Sequence, residues 1–196
     1  MVIEIKKVDL YNKKEVKAFI RFNYELYKDN EFSVPDLLMD MYETFDPKRN
    51  DAFEFCDADL FLAYRDGKIV GRIACMVNHK ANKLWNNNNA RFGWIDFIDD
   101  DEVSKALMET AEQFGRDHGC DKLVGPLGFT DMDPEGMLID GFDQLSTMST
   151  TYNFPYYPQH MERLGYEHEI DWVERKVTVP CEGHHAQDDK YFRVAK

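Results

Sequence analysis

Apolar residues along the chain follow two spacings, strict alternation and the three-to-four-residue repeat of an amphipathic helix. Alternating or continuous apolar runs predict strands, and the helical repeat predicts helices with one buried face. The predicted strands are Val2–Val8, Leu60–Tyr64, Ile69–Val77, Ala90–Ile98, Lys122–Val124 and Tyr166–Val179. The predicted helices begin after a cap at Asp9 or Asn12, at Pro35, at Val103 and at Pro158, with a short helical turn over His79–Trp85.

The Asp66-Gly67 pair joins two of these strands and is a strong signal for a tight hairpin. A strand–helix–strand unit around Val103 favours one parallel pair, so the sheet is expected to be mixed and mostly antiparallel. The order β-α-α-β-β-β-α-β-α-β predicts an α/β (α+β) fold with helices on both faces. We expect one domain over residues 1–179 and a polar tail over 180–196, whose apolar last residues predict that a packing partner has been truncated.

Four consecutive acids, Asp99 to Glu102, stand where the buried strand Ala90–Ile98 runs into the longest predicted helix. Acids in the first turn stabilise a helix by about 0.3–1 kcal/mol each, and they occupy N–H groups that would otherwise bind phosphate. We therefore favour a capped and solvated helix start. Two alternatives stay open: a metal ion that bridges the acids to a phosphate, or a phosphate bound elsewhere.

The net charge of −13 narrows the classes of partner. A surface that binds nucleic acid or anionic lipid must be basic, so we expect neither partner, although a local basic patch stays compatible with the total. The four cysteines form no Cys-x-x-Cys pair, and no segment approaches about 20 apolar residues. We therefore predict free thiols, no metal site, no membrane span and a cytoplasmic protein.

The element order and two short motifs resemble the GNAT family of N-acetyltransferases over roughly residues 1–179. Gly67-Lys-Ile-Val-Gly71 is similar to the hairpin of that family, and Met161-Glu-Arg-Leu-Gly-Tyr166 is similar to its closing helix. More narrowly, the chain resembles the N-terminal half of a group of longer bacterial GNAT-type proteins. The resemblance implies an acyl-CoA donor, with acetyl-CoA as the expected co-substrate, and direct transfer of the acyl group to an amine.

The chemical signatures of the family are missing from this sequence. The family holds pyrophosphate with an Arg/Gln-x-x-Gly-x-Gly/Ala loop at the strand-to-helix junction. Asp99 stands where Arg or Gln is expected, Glu102 falls on the first small residue and Ser104 on the second. The usual tyrosine acid, four residues before the closing glycine, is replaced by Met161.

Candidate site residues lie on the strand Ala90–Ile98 and before the last helix. Asp96 is expected on the same strand face as Trp94 and Ile98, where desolvation favours a general base; the alternative is a salt-bridged structural aspartate. Tyr156 and Tyr157 are candidates for the missing acid, with aromatic core packing as the alternative. By the resemblance, the acyl donor would lie beside the strand and contact residues Trp94, Ile95, Phe97 and Ser104.

Three functions are compatible with these residues. The first is an atypical N-acyltransferase that moves an acyl group, acetyl above all, from acyl-CoA to a small-molecule or peptide amine. The second is a GNAT-like lobe without chemistry of its own, acting in a homodimer or beside a missing C-terminal half. The third, less favoured, is a small-molecule binding module that uses an aromatic groove.

Overall fold

The computed structural model describes residues 2–147 and 150–175, which form a five-stranded sheet and five α-helices. The predicted strand Tyr166–Val179 is wrong over 166–175, which form no strand, and its remaining residues lie outside the described part, as does the tail 180–196. The strands are β1 (Glu4–Lys7), β2 (Cys56–Arg65), β3 (Lys68–Asn78), β4 (Asn89–Phe97) and β5 (Lys122–Val124). The helices are α1 (Lys13–Leu26), α2 (Leu38–Thr44), α3 (His79–Trp85), α4 (Asp101–Asp117) and α5 (Tyr156–Arg163), and a 3₁₀ turn covers Asp51–Glu54.

The sheet confirms the predicted mixed and mostly antiparallel arrangement. Its strands lie in the order β1-β2-β3-β4-β5, antiparallel except for the parallel pair β4–β5. Positive φ angles at Asp66 (51°) and Gly67 (74°) close the hairpin between β2 and β3. Two successive positive φ angles are typical of a type I′ turn, which an Asp-Gly pair favours.

Helices cover both faces of the sheet, as predicted, and each face has its own apolar core. One core packs α4 and α5 on the sheet through residues such as Leu107, Phe114 and Tyr157. The other packs α1 and α2 on the opposite face through residues such as Phe19 and Phe45. Burial of these side chains is the main force that holds both helical layers. No helix in the described ranges is long and apolar enough to cross a bilayer.

A β-bulge interrupts β4 at the place where the sequence puts the candidate base. Arg72 of β3 lies opposite Asp96, but Ala74 lies opposite Gly93, so β4 has one extra residue in this interval. Trp94 takes up the bulge with a φ of 43°, unusual for a bulky residue. The strict alternation that placed Trp94 and Ile98 on one face therefore fails, and they pack into opposite cores.

The pairing of β4 with β5 ends before the bulge, and a cavity opens beside the unpaired part of β4. The parallel pairing covers only Asn89–Arg91 of β4, and the chain after β5 then returns across the strand. This return is so close that a Cβ added at Gly93 would lie 2.3 Å from the carbonyl oxygen of Leu127. Glycine is required there because the neighbouring atom belongs to the backbone and cannot move independently.

Candidate functional site

The centre of the site is a buried ion pair between Asp96 on β4 and Arg72 on β3. Asp96 is only 4 % exposed, and its Oδ2 accepts hydrogen bonds from Nε and Nη2 of Arg72, both at 2.7 Å. Asn23 of α1 donates a third bond to the same oxygen at 3.1 Å. Arg72 also donates to the carbonyl of Phe19 in α1. The pair therefore ties two strands to a helix while Oδ1 of Asp96 stays less occupied.

Tyr157 of α5 reaches Oδ1 of Asp96 from the other side of the sheet. Its hydroxyl donates to Oδ1 at 3.3 Å and accepts from the Phe97 amide at 3.1 Å and from the Tyr27 hydroxyl at 2.8 Å. Burial, reinforced by the charge of Asp96, raises the pKa of both Tyr157 and Tyr27 well above the usual range. Both phenols therefore stay protonated near neutral pH, and Tyr27–Tyr157–Asp96 forms a continuous chain of hydrogen bonds.

The ion pair borders a cavity of about 50 Å³ that opens between β4, α1 and the long segment after β5. Its size suits the reacting groups of a ligand rather than a whole coenzyme. Asp36, just before α2, and Trp94 also line it. The Trp94 ring packs against Phe45 and Phe129, and its indole nitrogen is buried without a hydrogen-bond partner among the described residues. Other lining residues are Asn23, Ile95, Pro126, Pro134, Gly136, Met137, Thr151, Tyr152, Asn153 and Tyr157.

The cavity brings together four of the seven predicted site residues, namely Trp94, Ile95, Asp96 and Tyr157. Tyr156 instead donates its hydroxyl to the carbonyl of Phe97, and burial raises its pKa. Phe97 is fully buried and stacks on Tyr157. Ser104 is 1 % exposed and its hydroxyl contacts Nδ1 of His160 at 2.7 Å, so in this structure it does not face a ligand.

Four residues of the site were not predicted: Asn23, Tyr27, Asp36 and Arg72. Asn23 left a visible signal, since it is the one polar residue on the apolar stripe of α1. Arg72 also left one, as a charged residue within the otherwise continuous apolar run Ile69–Val77, because a buried charge requires a partner. Tyr27 and Asp36 gave none, since only the folded chain brings them to β4.

Each acid of the run at the start of α4 contacts a basic side chain of the same chain. Arg65, at the end of β2, pairs with Asp100 through both of its Nη atoms and with Glu102 at 2.8 Å. The buried His160 of α5 contacts Asp99 through Nε2 at 2.9 Å. The remaining acid, Asp101, binds Arg163 of α5 at 2.7 Å. Within the ranges that the structure describes, no group of three or more His, Cys, Asp or Glu residues is placed to hold a metal ion.

The backbone at the start of α4 is occupied as well. The carboxylate of Asp100 accepts from the amides of Glu102 and Val103, and its carbonyl accepts from the amide of Ser104. The amides of Glu102 and Val103 are two of the N–H groups that a helix start offers to phosphate, whereas the Ser104 bond is the first one within the helix. The capped helix start that the sequence favoured is confirmed for Asp100, but the acids are paired with cations rather than simply solvated.

We expect the Asp100–Arg65 pair to make stability depend on pH. The hydrogen bonds from Arg65, aided by backbone amides, lower the pKa of Asp100. A lowered pKa adds stability above the unfolded-state value of about 3.9, and this stability is lost as pH falls through the folded-state value. Asp100→Asn, which keeps a capping side chain, should cost at most about 1 kcal/mol at pH 7 because the pair is partly exposed.

Urea unfolding of both proteins between pH 7 and pH 3 measures this difference. The two curves should converge at the acid end, because protonated Asp100 no longer pairs with Arg65. Glu102→Gln is the matched control, since Glu102 is more exposed and makes one contact with the same guanidinium. A difference that stays constant down to pH 3 would contradict the assignment.

No family model matches the chain, but two curated relatives do. Protein YghO of Escherichia coli K12 is 33% identical over 168 residues, which cover 84% of this chain and 43% of that protein. Bacterial ceramide synthase of Caulobacter vibrioides is 29% identical over 153 residues, which cover 78% of this chain and 40% of that enzyme. The chain thus spans about two fifths of the length of these relatives.

Solved structures match over nearly the whole chain at low identity. An aminoglycoside acetyltransferase from a soil metagenome, in complex with sisomicin, has a TM-score of 0.55 and 14% identity and covers 91% of this chain and 97% of its own. A tandem GNAT protein of the clavulanic acid biosynthesis pathway has a TM-score of 0.56 and 13% identity, and the match covers 83% of this chain and 43% of that protein. A predicted acetyltransferase of Clostridium acetobutylicum, solved with acetyl-CoA, has a TM-score of 0.52 and 10% identity, and the match covers 89% of this chain and 96% of that protein. The chain has the GNAT-like fold of these acetyltransferases.

Proposed function

We propose that this chain is an acyltransferase domain that moves an acyl group, acetyl first of all, from acyl-CoA to an amine. The observation that carries the proposal is the buried Asp96, which lines the cavity beside β4 and whose Oδ1 accepts a hydrogen bond from Tyr157. The fold supports acyl transfer, and one neighbour of that fold was solved with acetyl-CoA. The name of the ceramide synthase also supports an amine acceptor, because a ceramide is an amide of an amino alcohol.

Asp96 and Tyr157 have complementary roles in the proposed reaction. Oδ1 of Asp96 takes a proton from the acceptor amine, and the nitrogen lone pair then forms a bond to the thioester carbonyl carbon. The C–S bond breaks, the thiolate receives a proton from the Tyr157 hydroxyl, and Tyr157 regains a proton from Oδ1 of Asp96, to which it is hydrogen-bonded. Arg72 holds the carboxylate in place through Oδ2, and Trp94 and Ile95 bound the space for the acyl group.

The donor would bind without the usual grip on its pyrophosphate. At the start of α4 the amides of Glu102 and Val103 are bonded to Asp100 and the arginines Arg65 and Arg163 are paired with acids, so these groups are not available to hold a phosphate. We therefore place the pantetheine arm beside the open half of β4, with the pyrophosphate outside the acid run. Ser104 and Phe97 are not part of this proposal, since both are buried behind α5.

Calorimetric titration of the 196-residue chain with acetyl-CoA and CoA at low salt tests the proposal directly. We expect binding that is stronger than millimolar and independent of magnesium, because three acids of the run already pair with Arg65 or Arg163 and Asp99 contacts His160. Asp96→Asn should keep acetyl-CoA binding while it removes amine-dependent release of CoA. No heat at millimolar acetyl-CoA would overturn the enzyme proposal. Binding that requires magnesium and is lost in Asp100→Asn would restore the metal-bridge alternative.

A second candidate is a non-catalytic lobe of a larger assembly. It is favoured by the occupied start of α4 together with the relatives, which are more than twice as long as the segment they share with this chain. Under this candidate the Asp96–Arg72 pair is structural and the cavity only positions a ligand for a partner lobe or a second copy. Tight acetyl-CoA binding by the chain alone would count against it.

A further inference from the structure

His160 is a buried histidine that the proposed reaction does not use. It is 1% exposed and lies on α5, three residues after Tyr157. Residues three apart on a helix point to the same side, and both of these side chains face the end of β4. The ring of Phe97 contacts both, stacked on Tyr157 at 4.3 Å between ring centroids and edge-on to His160 at 5.1 Å. His160 and Tyr157 therefore share a packing neighbour.

Both ring nitrogens of His160 contact the start of α4. Nε2 lies 2.9 Å from Oδ1 of Asp99, and Nδ1 lies 2.7 Å from the Ser104 hydroxyl oxygen and 3.2 Å from Oδ1 of Asp101. Hydrogen bonds of a buried group are stronger than those at the surface, because water does not compete for them. The imidazole therefore joins α5 to the acid run through both of its polar atoms.

α5 depends on such contacts to stay in place. It has eight residues and no side-chain capping bond at its N-terminus, and a helix that short is not stable alone in water. Its first turn is tied to β4 by the Tyr156 hydroxyl, which donates to the Phe97 carbonyl at 2.6 Å. Its last turn has the pair of Arg163 with Asp101, which is half-exposed and weakened by water and salt. The buried His160 is therefore the main polar contact that fixes the second half of α5.

The contact of Tyr157 with the proposed base is sensitive to small displacements of α5. The Tyr157 hydroxyl lies 3.3 Å from Oδ1 of Asp96, which is longer than the usual O–H···O hydrogen bond. A further shift of about 0.5 Å away from β4 would break this bond. The position of α5 therefore controls whether Tyr157 can exchange a proton with Asp96.

We propose that His160 is a positioning residue, which fastens α5 to the acid run so that the Tyr157 hydroxyl stays within reach of Asp96. The inference rests on the proposed function, because the position of Tyr157 affects a rate only if Tyr157 is the acid. The acid run thereby gains a role. Asp99 and Ser104 stand where the phosphate loop of the family is expected, and here they hold the helix that bears the acid.

Kinetics of His160→Leu and Tyr157→Phe, alone and combined, test whether His160 acts through Tyr157. Leucine fills most of the buried space but bonds to neither Asp99 nor Ser104. We expect His160→Leu to lower kcat about 10-fold with KM for acetyl-CoA unchanged, because misplacement of a catalytic group by about 1 Å costs up to about 100-fold. In the Tyr157→Phe background the same substitution should lower kcat no further. A second 10-fold loss in the double variant would overturn the proposal, since a merely structural residue acts in both backgrounds.

Substitutions that keep part of the contact carry less risk to the fold. His160→Gln places an amide nitrogen near the position of Nε2, and His160→Asn places one near Nδ1, so each should recover part of the loss in kcat. Asp99→Ala, at an exposed side chain, should lower kcat several-fold without unfolding the chain. Glu102→Gln is the matched control, because that acid of the same run pairs with Arg65 of β2. Equal effects of Asp99→Ala and Glu102→Gln would overturn the proposal.

Hydrogen exchange of the Phe97 amide gives a readout that needs no acyl-CoA. This amide donates to the Tyr157 hydroxyl at 3.1 Å, so its protection reports whether the hydroxyl is in place. His160→Leu should speed its exchange about 10-fold, whereas His118→Leu, at the other end of α4, should not. If exchange quickens but the wild-type chain releases no CoA, the hold on Tyr157 stands and the proposed acyl transfer falls. If folded His160→Leu keeps the wild-type kcat, the transfer stands and the positioning role falls.

Discussion

Arg72→Met is expected to destabilise the chain by about 3–5 kcal/mol, a large fraction of the stability of a typical domain. Methionine fills part of the same space but leaves Asp96 buried without its cationic partner. Asn23 and Tyr157 would still donate to that carboxylate, but both are neutral. The contacts of Arg72 with the Phe19 carbonyl and the Phe19 ring would also be lost. Urea unfolding followed by circular dichroism at pH 7 measures the loss.

A second substitution shows whether the loss comes from the unpaired charge. Arg72→Met combined with Asp96→Leu removes both charges, and replacement of a whole buried pair by apolar residues is often close to neutral. The double variant should therefore be more stable than Arg72→Met alone. Arg116→Met, in an exposed ion pair with Glu112, is the matched control and should cost less than about 1 kcal/mol. A loss below 1 kcal/mol for Arg72→Met would contradict the central role of the pair.

Tyr157→Phe is expected to lower kcat by about 100-fold, the lower end of what a positioned general acid contributes. The phenol donates a hydrogen bond to Oδ1 of Asp96, and its raised pKa keeps it protonated until the thiolate leaves. Phenylalanine preserves the stacking on Phe97 but removes the acceptor of the Phe97 amide and of the Tyr27 hydroxyl. The variant should also unfold at a lower temperature, so kcat is measured well below that transition.

The kinetic pattern distinguishes an acid from a structural contact. Loss of an acid lowers kcat and kcat/KM together, with little change in KM for acetyl-CoA. Tyr166→Phe is the matched control, because the Tyr166 hydroxyl is also part-buried but bonds to Glu112 on α4, away from the cavity. An unchanged kcat in folded Tyr157→Phe would remove Tyr157 from the proposed reaction.

Local patterns in the sequence were sufficient to predict most of the fold. The Asp66-Gly67 turn, the apolar stripes of α1 and α4 and the short helix His79–Trp85 all depend on neighbours within a few residues. The last predicted strand failed because alternation indicates only that a segment suits a sheet. Whether a strand forms depends on a partner edge, and residues 166–175 have no described strand beside them.

The site was harder to predict because it is built from residues distant in sequence. Asp96 could be singled out on its strand, but its partner Arg72 comes from another strand and Tyr157 lies 61 residues away. The bulge at Trp94 also shifts the alternation by one residue, and no local signal marks it. Asp36 could be assigned to the site only from the folded structure, in which it lines the cavity.

The ion pairs of the acid run at the start of α4 determine how this end of the molecule responds to ligands. Arg65 of β2 and His160 and Arg163 of α5 meet the acids there, so three elements are joined by contacts of the chain with itself. When a helix start binds phosphate, its free N–H groups are satisfied only in the ligand complex, and ligand binding makes that end of the helix more rigid. Here the anion that caps the helix is the carboxylate of Asp100, so the start of α4 is ordered without any ligand. Hydrogen exchange in the first turn of α4 should therefore be equally slow with and without acyl-CoA.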